Sequence, residues 1–169
     1  CAYPVKEILM LDALASSGEY EHLRIKALES LRQKNTVVVA PVQAAMQFTI
    51  PPDTLKEKSL LLTGSFAEGR DGLVNRLLDA GYTRCDQVDG VCTFAVRGGL
   101  VDFFPPTYDD PVRVEFWGDV IDSVCTFSIE TQRRIKPVDE LMISPSREAI
   151  ASREELVPLL ARCREKAGE

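Results

Sequence analysis

The sequence predicts an α/β region followed by an α+β domain, and three observations carry that reading. An uninterrupted β-branched run, TVVVA at 36–40, sits between two helical patterns, as does a strand buried on both faces of a parallel sheet. The stretch FAVRGGLVDFFPP at 94–106 alternates apolar and other residues on both sides of two glycines, the pattern of two half-buried strands meeting in a hairpin. Two further runs, PVRVEF (111–116) and VIDSVCTF (120–127), meet at a WGD turn, so the second half is read as β structure. The expected architecture is the remnant of an α/β layer over residues 1–58, a small antiparallel-sheet domain with a packed helix over 59–150, and a C-terminal helix over 151–169.

Taken in order, residues 19–34 place Leu23, Ile25, Ala27, Leu28 and Leu31 near helical spacing. Acids come early and bases late, as the helix dipole favours, and Asn35 stops the run. Pro41 suits the first helical position of VQAAMQF (42–48), because proline lacks only an N–H that is unpaired there anyway. SLLLTG (59–64) is expected as a strand, and DGLVNRLLDAGY (71–82) as a helix with Leu73, Val74, Leu77 and Leu78 on one face and Gly81 as its stop. Ser152 and Glu155 form a capping box for SREELVPLLARCREK, inside which Pro158 argues against one continuous helix.

Composition excludes several classes of function. With 169 residues, 45% hydrophobic and 27% charged, the chain has the balance of a soluble globular protein. It holds no apolar run near the roughly 20 residues that span a bilayer, and its first residues lack the basic start and apolar centre of a signal peptide. A cytoplasmic location is the expectation. Position 1 is Cys rather than Met, so the chain is read as a piece of something longer. A net charge of −6 argues against a surface that tracks nucleic-acid phosphates, which needs clustered Lys and Arg. Five scattered cysteines without a CxxC pair, and one histidine, give neither a zinc site nor a disulfide framework.

Most candidate chemistry fails on residue type. GSFAEGRD, Gly64 to Asp71, has the spacing of a phosphate-binding loop, but Arg70 and Asp71 stand where Lys and a Ser or Thr hydroxyl are needed. Of the carboxylates Asp86, Asp89, Asp102, Asp109, Asp110, Asp119 and Asp122, most fall in turn-like positions such as YDDP and WGD, where Asp serves local hydrogen bonding rather than catalysis. His22 lies among charged residues on a helix and has no second histidine as a partner. No cofactor and no reaction are expected of this chain by itself.

A surface remains. Strand alternation turns Phe94, Val96, Val112, Val114 and Phe116 inward, and Ala95, Arg97, Arg113 and Glu115 outward. Arg84, entering the same β region, is expected to join them. This face is either an ordinary solvated one with ion pairs worth about 0–1 kcal/mol each, or a protein-binding one. Arginine's planar fork suits the second reading, since it captures carboxylates and is enriched at interfaces.

Three segments, GYTRCDQVDGVCTFAVRGGLVDFFPP, PVRVEFWGDVIDSVCTFSIETQRRI and DELMISPSREAI, resemble the UvrA-interaction domain shared by UvrB and the transcription-repair coupling factors (Mfd). The likeness runs over about 59–150, and the first half is similar to the end of the adjoining RecA-like domain. Ala95 and Gly99, where UvrB members carry an arginine and commonly an acid, favour the coupling factors. A fragment of the excinuclease subunit UvrB is the alternative.

The resemblance implies a non-enzymatic module that binds UvrA through Arg84, Arg97, Arg113 and Glu115 and recruits it for nucleotide excision repair at stalled RNA polymerase. It implies that Gly98 and Gly99 shape the hairpin turn by accepting positive φ. It further implies that the full-length protein is an ATP-dependent DNA translocase, reaching polymerase and DNA only through other domains. In that protein a C-terminal domain would mask the UvrA surface. Asp102 is expected to orient Arg97 across the hairpin.

Overall fold

The alternating runs of the second half assemble into one six-stranded sheet. In a computed structural model, which describes residues 1–6, 18–149 and 153–167, its strands follow one another across the sheet in chain order. They are β2 (Thr83–Arg84), β3 (Thr93–Arg97), β4 (Leu100–Phe103), β5 (Val112–Trp117), β6 (Val120–Phe127) and β7 (Arg134–Pro137). Only the short β2–β3 pairing is parallel. A second sheet pairs β1 (Leu60–Thr63) with β8 (Glu140–Ile143) antiparallel. The helices are α1 (Glu19–Ser30), α2 (Val42–Ala45), α3 (Pro52–Lys58), α4 (Gly69–Asp79) and α5 (Arg153–Ala167).

The main core lies between one face of the large sheet, α4 and the small sheet. Phe94, Val101, Phe103, Val112 and Val114 are fully buried there against Leu73 and Leu77 of α4 and Leu62, Leu141 and Ile143 of β1 and β8. Gly81, at φ 81, ends α4 in a left-handed turn, which glycine adopts without strain. The next residue, Tyr82, is buried and donates its hydroxyl to the Ser144 carbonyl at 2.9 Å. The α+β reading of the second half holds, with β7 and β8 as strands that the sequence pattern did not reveal.

The first half departs further from expectation. TVVVA makes a single parallel bridge, Ala2 to Val39, and Val37 and Val39 are 74% and 68% exposed. It is therefore not a strand buried on both faces. α1 ends at Ser30 with no base in its last turn, Leu23 and Leu31 are exposed, and Asn35 sits at φ 63, a region that asparagine tolerates. VQAAMQF forms one helical turn only, and α3 was not foreseen. Two small apolar clusters serve this half, one of Tyr3, Ala27 and Ala44, the other of Ile25, Ile50 and Leu55. α5 is the expected C-terminal helix and runs through Pro158 without interruption; the capping contact of Ser152 with Glu155 lies outside the described residues.

A buried ion pair clasps the two halves. Arg24 of α1 is fully buried; its Nε and Nη2 donate to Glu148 Oε2 and Oε1 at 2.7 and 3.3 Å. Its Nη1 donates to the Pro4 carbonyl at 2.9 Å and to Gln47 Oε1 at 3.0 Å, and its guanidinium lies 4.0 Å over the Tyr3 ring. Tyr3 and Thr49 donate their hydroxyls to Glu148 Oε1 at 3.1 and 2.6 Å. Burial pushes the Glu148 carboxyl up, but these hydrogen bonds and the Arg24 charge outweigh it and hold it below its ordinary value. His22, expected at the surface, is half-buried, and that burial lowers its pKa.

Candidate protein-interaction face

The hairpin joining β3 and β4 has two glycines for two different reasons. Gly98 sits at φ 58, and a positive φ at the first central residue is the type II′ arrangement that matches strand twist. Gly99 has no such φ; instead a Cβ there would meet the Phe116 carbonyl oxygen at 2.7 Å. The implied role of both glycines through positive φ is thus corrected for Gly99, whose constraint is close approach. The decoy loop at 64–71 braces this same turn. Arg70 Nη1 donates to the Gly98 carbonyl at 2.9 Å and its Nη2 pairs with Asp71 at 2.8 Å, so its residues support a hairpin where a phosphate loop would have supported an anion.

Register sets the outward rows. Ala95 lies opposite Asp102, Asp102 opposite Arg113, and Arg113 opposite Cys125. One row further, Arg97 lies opposite Leu100, Leu100 opposite Glu115, and Glu115 opposite Ser123. This face is not an open solvated one. Val88, Ala95 and Phe127 bury one another, with Cys85 and Phe104 at their margin.

On that small apolar base stands a polar network. Asp102 is buried, with Oδ1 accepting from Arg113 Nε at 2.7 Å and Oδ2 accepting from Arg113 Nη2 at 2.8 Å and Arg97 Nη2 at 2.6 Å. The orienting role expected of Asp102 toward Arg97 therefore has its bond, and Arg113 shares it. The hydrogen bond with Asp102 raises the Arg113 pKa against the opposing effect of burial. The Arg113 guanidinium also lies 4.5 Å over the Phe127 ring, a cation–π contact. Glu115 accepts from Ser123 Oγ at 3.0 Å and pairs with Arg134. Arg134 first, then Ser123, holds its carboxyl below the ordinary range.

Arg84 does not join this group. It pairs in parallel register with Phe94, which puts it in the row of the core-facing side chains, exposed on the edge strand. Its neighbour Cys85 is the residue on the polar side. The expectation that Arg84, Arg97, Arg113 and Glu115 share one face is corrected to the last three. The structure adds Gln132, which sequence reasoning missed: its Oε1 accepts from Arg113 Nη2 at 3.2 Å, and its backbone carbonyl accepts from Arg113 Nη1 at 3.3 Å. Among the described residues no group of three His, Cys, Asp or Glu could hold a metal ion.

The face is thus a hairpin braced by a helix start, with paired arginines over a buried acid and Arg97 reaching solvent. Residues 65–148 match the family described as the UvrB interaction domain, and the chain belongs to that family. Its relatives include the transcription-repair-coupling factors of Bacillus subtilis, 32% identical over 90% of this chain, and of Haemophilus influenzae, 31% identical over all of it. That of Mycobacterium bovis is 44% identical over 61% of the chain. The chain spans only 13%, 15% and 8% of those proteins, respectively.

Proposed function

We propose that this chain is the UvrA-recruiting module of a transcription-repair coupling factor, bringing UvrA to DNA where RNA polymerase has stalled. The observation that carries the reading is the Arg97–Asp102–Arg113 arrangement on the outward face of a UvrB interaction domain. Its charges are fixed in place before any partner arrives, and preorganisation of this kind reduces the cost of binding. The coupling-factor likeness extends over the first half as well, which favours that family over UvrB itself and supports reading residues 1–58 as the end of a RecA-like domain. Translocase activity, contact with polymerase and DNA, masking by a C-terminal domain and a cytoplasmic location belong to the longer protein and follow from the same reading.

Calorimetry of the chain with purified UvrA tests it, beside an Arg97→Ala, Arg113→Ala double variant whose fold is checked by circular dichroism. Binding is expected for the unaltered chain and a loss of about 2–4 kcal/mol for the variant, the range of interface hot spots. Absence of binding by the unaltered chain refutes the proposal.

A further inference from the structure

The chain has a single tryptophan, Trp117, and the fold makes no use of its indole. Trp117 closes β5 and is 85% exposed; Val120, directly opposite it on β6, is 65% exposed. Neither belongs to an apolar cluster, although Phe116 and Ile121 beside them pack into the main core. The turn between them does not ask for an aromatic residue either. It needs Gly118, at φ 63, because the tight hairpin turns that match strand twist take a positive φ at the first central residue.

Register fixes the side on which the pair stands. Where the pairing shifts between Glu115 and Phe116, Asp122 of β6 is left without a partner residue, so the extra residue is in β6 and β5 keeps its alternation. Trp117 therefore lies on the outward side with Arg113 and Glu115, one step beyond the row of Arg97, Leu100 and Glu115. The tip is also held in place. Asp119 packs on the start of α4, so closely that a Cβ at Gly69 would meet its Oδ1 at 3.0 Å. The Phe116 N–H donates to the Gly99 carbonyl at 2.8 Å, and Arg70 of α4 donates to the Gly98 carbonyl. The two turns at this end of the sheet are tied to each other and to one helix start. Little backbone freedom is left there to be lost on binding.

We propose that Trp117, with Val120 beside it, is an apolar anchor that enters an apolar pocket of UvrA, extending the contact surface past the charged group to the turn end of the sheet. The choice of partner rests on the UvrA reading and on the continuity of the pair with the outward face. An apolar pocket is the matching chemistry because the charge next to Trp117 on this face is already answered: Glu115 pairs with Arg134 and accepts from Ser123. What a partner can add there is cover for the indole and the valine. A large aromatic side chain on a rigid backbone is the residue type that dominates an interface once it is covered.

The test is fluorine NMR of the 169-residue chain carrying fluorotryptophan, which gives one signal because the chain has one tryptophan. On addition of unlabelled, purified UvrA the signal is expected to move, and its difference between light and heavy water to shrink as solvent leaves the indole. In calorimetry with UvrA, Trp117→Ala is expected to weaken binding by about 30-fold, the size of a hot spot. Val120→Ala should weaken it less, and Trp117→Phe should keep most of the affinity. The thermal midpoint of all three variants should stay unchanged, since neither side chain supports a core.

UvrA binding that leaves the indole signal solvent-exposed, or binding by Trp117→Ala within about twofold of the unaltered chain, would overturn the anchor while leaving UvrA as partner. A signal that moves with the concentration of the chain alone, or on addition of duplex DNA without UvrA, would assign the indole to a second copy or to DNA and overturn the anchor likewise. No binding by the unaltered chain overturns the partner and the anchor together.

Discussion

Alternate residues of the same strands build two unlike surfaces. Phe94, Val101, Phe103, Val112 and Val114 meet α4 and the small sheet in an apolar core. Ala95, Asp102, Arg113 and Cys125, their sequence neighbours, form the opposite row, where an acid and two arginines stand on a small apolar base. The first surface is held by apolar area, which is non-directional and survives reshaping if volume is kept. The second is held by assigned donors and acceptors, so losing one partner strands another. A sheet of this size can therefore be rigid on both sides while only one side is available to recognise anything.

The contrast can be broken most severely from the apolar side. Phe103→Ala is expected to lower the unfolding free energy by about 3–5 kcal/mol, the cost of emptying a well-packed aromatic site. Urea unfolding measures it, and no single change to the polar face should exceed it.

Asp102→Ala should come next, at about 3 kcal/mol, because it leaves the largely buried Arg113 without its counter-charge. A loss within the 0–1 kcal/mol of exposed pairs would show that the polar face is a surface like any other.

Acid separates the faces more gently. The Glu115 carboxyl is held below its ordinary 4.5, so its contribution is fully present above that value and is lost as pH falls through the depressed folded value. The thermal midpoint should decline below about pH 4.5, and Glu115→Gln should remove part of that decline. Glu148 moves in the same sense, so the difference between variant and unaltered chain is the quantity to read.

The smallest effect is chemical. Burial pushes the Cys92 thiol, on the apolar side, up to about 12. Iodoacetamide at pH 8 should label the exposed Cys163 and spare Cys92, as mass spectrometry of the native chain would show.

Period-two alternation made the hairpin and the β5–β6 pair legible, together with the outward turn of Arg97 and Arg113. The burial of Arg113 was not legible, because it depends on the 128–133 segment returning to place Gln132 against it, and no local period encodes that. β7 is the four-residue RIKP, every residue exposed, too short and too charged to mark a strand in the sequence. Arg84 misled because an edge strand joined in parallel takes its row from pairing register, which sequence alone does not state. Arg24 was hidden for the same kind of reason: its counter-charge is Glu148, 124 positions away.

That clasp separates two kinds of boundary. The segment matched to the family ends on Glu148, the residue whose carboxylate is completed by Tyr3, Arg24 and Thr49. Trimmed to residues 59–150, the domain would keep the core beneath α4 but retain none of those three partners, and its last acid would become an ordinary surface group. The family match therefore delimits a shorter piece than the one in which the Glu148 carboxylate is paired, and that longer piece includes α1.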